Sequence, residues 1–172
     1  MSSNINPTLA LQQGLKRHMD GIVKAATEAA LLLQDGNLQK NQIRNVLNVA
    51  EESSNVAVVT NFIRYQIGRS GTGKEWQHNG FGLRVIEDIT AGPVHQTVAN
   101  VIKVVSDRLG SGAVTAELKR QAHVDLMRHY LGYLNRAFIF GSLDNVTDPK
   151  GQNKKKGWDY LQQVAAQEVK DV

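Results

Sequence analysis

The chain has 172 residues, 41% hydrophobic and 21% charged, which suits one globular domain able to bury its own core and argues against wholesale disorder. It contains no cysteine, so disulfide frameworks and thiol catalysis are excluded, and any metal would have to be held by His and carboxylates. A net charge of +4 is a mild bias towards polyanions, and its placement matters more than its total. Met1 to Asp20 holds no unbroken apolar run, and the longest such run, Ala29 to Leu33, is far too short to span a bilayer. A soluble, cytoplasmic protein without a membrane partner is expected.

Asn6-Pro7 reads as an N-cap followed by proline at the first helical position. Leu11, Leu15, Met19, Ile22, Ala26, Ala29 and Leu33 then recur at helical spacing, predicting one long first helix stopped by Gly36. A second helix is expected from Gln39 to Glu52, with Ile43, Val46, Leu47 and Ala50 on one face. Ser54 to Arg69 follows as a third, although its β-branched content keeps a strand open. Val56, Val59, Ile63 and Ile67 mark its apolar side, and Thr60, Asn61 and Arg64 its polar side.

Ser70 to Phe81 is rich in Gly and polar groups and reads as a flexible loop; Gly82 to Ile89 fits either a short helix or a strand. Pro93 opens a clear helix that Gly110 closes. The longest element, Thr115 to Phe140, sets Met127, Tyr130, Leu131, Leu134 and Phe138 opposite a polar sector holding Gln121, Asp125, Arg128, His129, Asn135 and Arg136. Residues 142–157 read as a mobile basic linker, and Trp158 to about Val169 as a terminal helix. The expectation is a single all-α domain over residues 1–172, a bundle of about six helices around one long central helix near the C-terminal third.

Gly68-Arg69-Ser70-Gly71-Thr72-Gly73-Lys74 has the spacing of a phosphate-binding loop. Glu75 stands where the Mg²⁺-holding Ser or Thr belongs, and Gly80 and Gly82 disfavour a helix directly after it. The five histidines form no ligand spacing, no nucleophile elbow is present, and Glu87 and Asp88 read as surface charges. No catalytic residue, metal site or cofactor is therefore expected. Basic residues are the remaining candidates. Arg64 and Arg69 lie close together with Lys74 beyond them, and Arg128 and Arg136 flank Gly132 on one helix. They suit phosphate contact, but equally solvation of the bundle or pairing with carboxylates.

Three stretches in order resemble the small helical subunit of type III CRISPR effector complexes. They are Leu38 to Leu47, with its Gln42-Ile43-Arg44 and Leu47, the run Phe62 to Arg69 ending in Gly68-Arg69, and the aromatic and basic run Leu126 to Phe138. Together they cover under a fifth of the chain. The insertion from Ser70 to Val94 and the tail beyond Gly141 depart from that family's pattern. The resemblance implies a non-catalytic subunit lining a ribonucleoprotein groove beside backbone subunits, large subunits and further copies of itself. Guide RNA and target RNA or single-stranded DNA would be held by their backbones, with Arg44, Arg64, Arg69, Arg128 and Arg136 as contacts. Lys74, Lys154, Lys155 and Lys156 join them from charge alone. The alternatives are a helical adaptor that binds only protein and a nucleotide-dependent enzyme using the Gly68 to Lys74 loop.

Overall fold

The computed structural model describes residues 5–71 and 74–167. Four helix starts carry a local reason. Asn6 Oδ1 accepts the Thr8 amide at 2.9 Å, Asn55 Oδ1 the Ala57 amide at 2.8 Å and Thr115 Oγ1 the Leu118 amide at 3.2 Å, so each supplies an acceptor to an otherwise orphaned donor. Pro7 and Pro93 occupy first helical positions, and Gly110, at φ 99°, ends the helix that Pro93 opens. The resulting helices are α1 (Pro7–Lys16), α2 (Met19–Leu31), α3 (Lys40–Glu52), α4 (Val56–Arg69), α5 (Phe81–Thr90), α6 (Pro93–Leu109), α7 (Ala116–Gly141) and α8 (Gly157–Ala166). The only strands among the described residues are β1 (Val146–Thr147) and β2 (Lys154–Lys155), an antiparallel pair. The domain is an all-α bundle.

α7 is the spine. It packs against α1, α2, α3, α4, α6 and α8, most extensively against α2. Met127, Tyr130, Leu131, Leu134 and Phe138 are all buried, as the helical wheel of that segment requires. The alanines of α2 (Ala25, Ala26, Ala29, Ala30) are buried too, and small side chains let the two helices approach closely. No described helix is long and apolar enough to cross a membrane.

Several expectations are corrected. The first helix is two: the chain breaks at Arg17–His18, where amides bond three residues back and His18 adopts φ −107°, ψ 8°. α1 thereby packs mainly on α6 while α2 lies along α7. Neither Gly nor Pro marks that break, so only the packing explains it. α4 is helical despite its β-branched residues, and Thr60 on its expected polar side is buried, its hydroxyl donating to the Ala57 carbonyl at 3.2 Å. α5 starts cleanly because Gly80, at φ 71°, turns the chain immediately before Phe81.

The stretch after α4 is anchored rather than loose. A 3-10 turn over Glu75–Gly80 buries Trp76 against Phe81, with ring centroids 5.2 Å apart. Asn79 Nδ2 donates to the Leu32 carbonyl at 3.0 Å, and His78 Nε2 lies 3.0 Å from the Gln34 carbonyl, so this segment ties down the end of α2. The basic linker is likewise a built hairpin. Asp148 accepts the backbone amides of Lys150, Gln152 and Asn153, and these hydrogen bonds, Gln152's first, hold its carboxyl below the ordinary range. Residues 168 and 169 of the expected last helix, like Thr72 and Gly73, lie outside the described residues.

α8 docks through two glycines. A side chain at Gly141 would collide with the Trp158 ring, and one at Gly157 with the Phe140 carbonyl. Gly141→Ala is therefore expected to destabilise the protein by about 1–3 kcal/mol through overpacking. Urea denaturation checks this; an unchanged midpoint would mean that Trp158 does not sit against α7 in solution.

Candidate nucleic-acid interface

Burial of Val59, Ile63 and Gln66 turns the opposite side of α4 to solvent. Arg64, Tyr65, Gly68 and Arg69 lie on that exposed side. The Arg69 guanidinium sits over the Tyr65 ring, 5.9 Å from its centroid, a spacing that an i, i+4 pair on a helix produces directly. Tyr65 is 59% exposed, so the pair stands in water, and Phe62 supports the ring from 6.1 Å.

α7 carries a second pair, on a tyrosine that is half-buried against the core. Arg136 lies over Tyr133 at 5.7 Å, and His129 stacks on the same tyrosine with ring planes 14° apart. A third pair joins the hairpin to the last helix, with Lys155 Nζ 5.9 Å from the Tyr160 ring. Three of the four tyrosines thus carry a cation; the fourth, Tyr130, is buried. Residue choice on the basic stripes therefore includes the aromatics, which the reading of charge alone passed over. Their i, i+3 and i, i+4 spacing to arginine was the available signal.

Arg44, Arg64, Arg69 and Arg136 are exposed and have no carboxylate partner among the described residues. Lys74, Lys154, Lys155 and Lys156 are exposed as well. Arg128 is different. Its Nε donates to the Ala50 carbonyl at 2.8 Å, its Nη2 reaches the Ser53 carbonyl at 3.3 Å and the Glu51 carbonyl at 3.4 Å, and Nη1 lies 3.6 Å from Asp125. Those carbonyls form the C-terminal end of α3, which has no helical amides left to satisfy it and concentrates partial negative charge. Arg128 caps α3 and fastens it to α7, a use of the guanidinium that leaves few of its donors free.

The Gly68 to Lys74 segment has a helix, α4, where a phosphate-binding loop requires a strand. The Glu75 carboxylate turns back towards the Ser70 hydroxyl at 3.4 Å, and the Glu75 amide donates to Asn37 Oδ1 at 3.1 Å. These contacts tie the end of α4 to the loop after α2. Among the described residues no three His, Asp or Glu side chains gather as a metal-holding group.

One polar cluster corrects the sequence reading. Asp88 is buried, not a surface charge, while Glu87 is exposed. Tyr130 donates its hydroxyl to Asp88 Oδ2 at 2.8 Å, Arg84 Nε donates to Oδ1 at 2.8 Å, and Arg84 continues to Glu28 at 3.6 Å. The cluster links α2, α5 and α7. Burial pushes the Asp88 carboxyl above its ordinary range despite those donors, and burial with the Asp88 charge pushes the Tyr130 phenol well up.

Comparison with known proteins finds no matching family model, no matching curated protein and no matching solved structure.

Three variants test these contacts. Arg128→Ala should lower stability by about 1–3 kcal/mol, because several α3 carbonyls lose a charged donor. That corresponds to about 2–4 °C in Tm per kcal/mol; an unchanged Tm would return Arg128 to the free surface cations. Tyr130→Phe leaves Asp88 a donor short and should cost about 1–3 kcal/mol. Since the folded Asp88 carboxyl binds its proton more tightly than the unfolded one, its contribution rises as pH falls from neutral through the folded pKa, and levels off below the unfolded value. Asp88→Asn should delete that component from the pH dependence of the urea midpoint.

Proposed function

We propose that this chain is a non-catalytic, RNA-contacting subunit of a ribonucleoprotein assembly, working in the cytoplasm as a small subunit of a CRISPR effector complex. The observation that carries the reading is the pairing of exposed, carboxylate-free guanidinia with tyrosine faces: Arg69 on Tyr65 and Arg136 on Tyr133. Such a pair offers an unpaired base a stacking surface and its phosphate a cation held in place, without reading sequence. Sequence-independent grip suits a subunit of a guide-directed complex, because base pairing there supplies the specificity. The resemblance of the Gln42 to Leu47, Phe62 to Arg69 and Leu126 to Phe138 stretches supports the same reading.

The proposed contacts are Arg44, Arg64, Arg69 and Arg136, with Lys74 and Lys154 to Lys156 as further phosphate neighbours. Arg128 serves instead by holding α3 against α7. Guide RNA and target RNA or single-stranded DNA are the proposed nucleic-acid partners. Backbone and large subunits and further copies of the chain are the proposed protein partners.

Single replacement of Arg64, Arg69 or Arg136 by Ala should weaken RNA binding, alike for unrelated sequences, with unchanged far-UV circular dichroism. Each lost phosphate contact should flatten the slope of log affinity against log salt by about 0.7 to 0.9. Tyr65→Ala and Tyr133→Ala should cost about 1–3 kcal/mol of single-strand affinity each, with a smaller change in salt slope. Fluorescence anisotropy at two salt concentrations reads all of these. If every variant binds as the unaltered protein does, the RNA reading is wrong and a protein-only adaptor takes its place.

A further inference from the structure

An apolar hollow lies away from the tyrosine–arginine pairs, between α1 and α6. A side chain at Gly14 would come within 2.5 Å of Val101 Cγ1, so the glycine sets a close crossing of the two helices. Beside that crossing lies a cavity of about 420 Å³. Its floor is Ala10, Gly14, Val101, Val104 and Val105, and its polar edge is Gln13, Arg17, His18, Asn100 and Arg108. Val104 is 66% exposed, an unusual position for a valine in the middle of a helix that otherwise buries its valines.

Two features select an occupant. The size falls in the range of small-molecule sites, roughly 300–1,000 Å³, and the lining is mostly apolar with a few polar groups. The charge is of one sign: Arg17 and Arg108 line the hollow with no carboxylate among its described lining residues. Neither arginine has an ion-pair partner among the described residues, even though Asp107 adjoins Arg108; Asp107 is bound to Lys103 at 2.7 Å instead. Unpaired cations around an apolar floor complement an anion that carries an apolar tail.

We infer that the α1–α6 cleft is a binding site for a small amphiphilic anion, an apolar chain ending in a carboxylate or a phosphate. The chain lies along Ala10, Gly14, Val101 and Val104, where it removes the exposed valine from water. The headgroup takes charge-assisted hydrogen bonds from Arg17 or Arg108. This site is independent of the RNA reading, since it uses none of the residues proposed to meet RNA.

The test is a methyl and amide NMR titration of the full chain with dodecanoate, dodecyl phosphate, dodecanol and dodecyltrimethylammonium, all below their micellar concentrations. Saturable shifts confined to Ala10, Gly14, Val101, Val104 and Val105 are expected with both anions. Binding of the alcohol and the cation should be at least about tenfold weaker, the loss of one charge-assisted contact. Preference for the carboxylate over the phosphate, or the reverse, identifies the headgroup. Arg17→Glu with Arg108→Glu should reduce anion affinity by about tenfold or more, and Val104→Glu should do the same, whereas Leu83→Glu, at another exposed apolar position, should not. Equal binding of all four headgroups, or shifts spread over Val58, Leu83 and Val164, would mean general surfactant adsorption and overturn the proposal. So would absence of shifts. The headgroup comparison uses the unaltered protein, so it decides the matter even if a charge-reversed variant fails to fold.

Discussion

The fold depends on burying one side of α7. A helix of 26 residues cannot hide its apolar sector against a single neighbour, so the remaining helices gather round it. That constraint explains the break at Arg17–His18. The broken helix lays α2 along α7 and folds α1 onto α6, so the two halves of one apolar pattern cover two different neighbours. It also explains the alanines of α2, whose small side chains permit the close approach that the spine requires.

The polar groups are arranged around the same spine in two different ways. Where arginine meets α7 at an interface, its donors are consumed: Arg128 by the end of α3, Arg84 by the buried Asp88 that Tyr130 also serves. Burying that carboxylate is costly, and two donors on separate helices are what make it tolerable. The cluster thus ties α5 to α7 through a buried hydrogen bond, although α5 packs mainly on α4 and α6. Where arginine stands on the outer faces of α4 and α7, its donors remain free and only its flat surface is engaged, by tyrosine. The same residue type therefore acts as fastener inside and as available cation outside.

Charge on this molecule is consequently less evenly spread than a net +4 suggests. Lysines and arginines that pair with carboxylates, such as Lys103 with Asp107 and Arg120 with Glu117, belong to local helix surfaces. Among the unpaired cations of the described residues, Arg69 and Arg136 sit beside tyrosines, Lys154 and Lys155 on the hairpin, and Arg17 and Arg108 around the α1–α6 cleft, while Lys24, Lys40, Arg44 and Lys119 stand elsewhere on helix surfaces. Local placement, with the groups beside each cation, decides what it is free to meet.

The order of amino acids alone determined the class of the fold, the apolar sector of α7 and, to within a residue or two, the starts of α1, α4, α6 and α7. These rest on caps, prolines and i, i+3, i+4 spacing, which are properties of nearby residues. The basic stretches were legible for the same reason, as were the tyrosines beside them, had spacing been weighed with charge. Other features needed the tertiary structure. The interruption at Arg17–His18 carries no breaker residue and exists because two halves of one pattern find different partners. Trp76 pins a segment whose glycines read as loop, because the indole's burial outweighs local permissiveness. Asp88 beside Glu87 is indistinguishable from a surface pair until α7 brings Tyr130 over it, 42 residues away. Arg128 and Arg136 read alike in sequence, eight residues apart on one polar sector. Only the third dimension places the end of α3 within reach of one and leaves the other facing water.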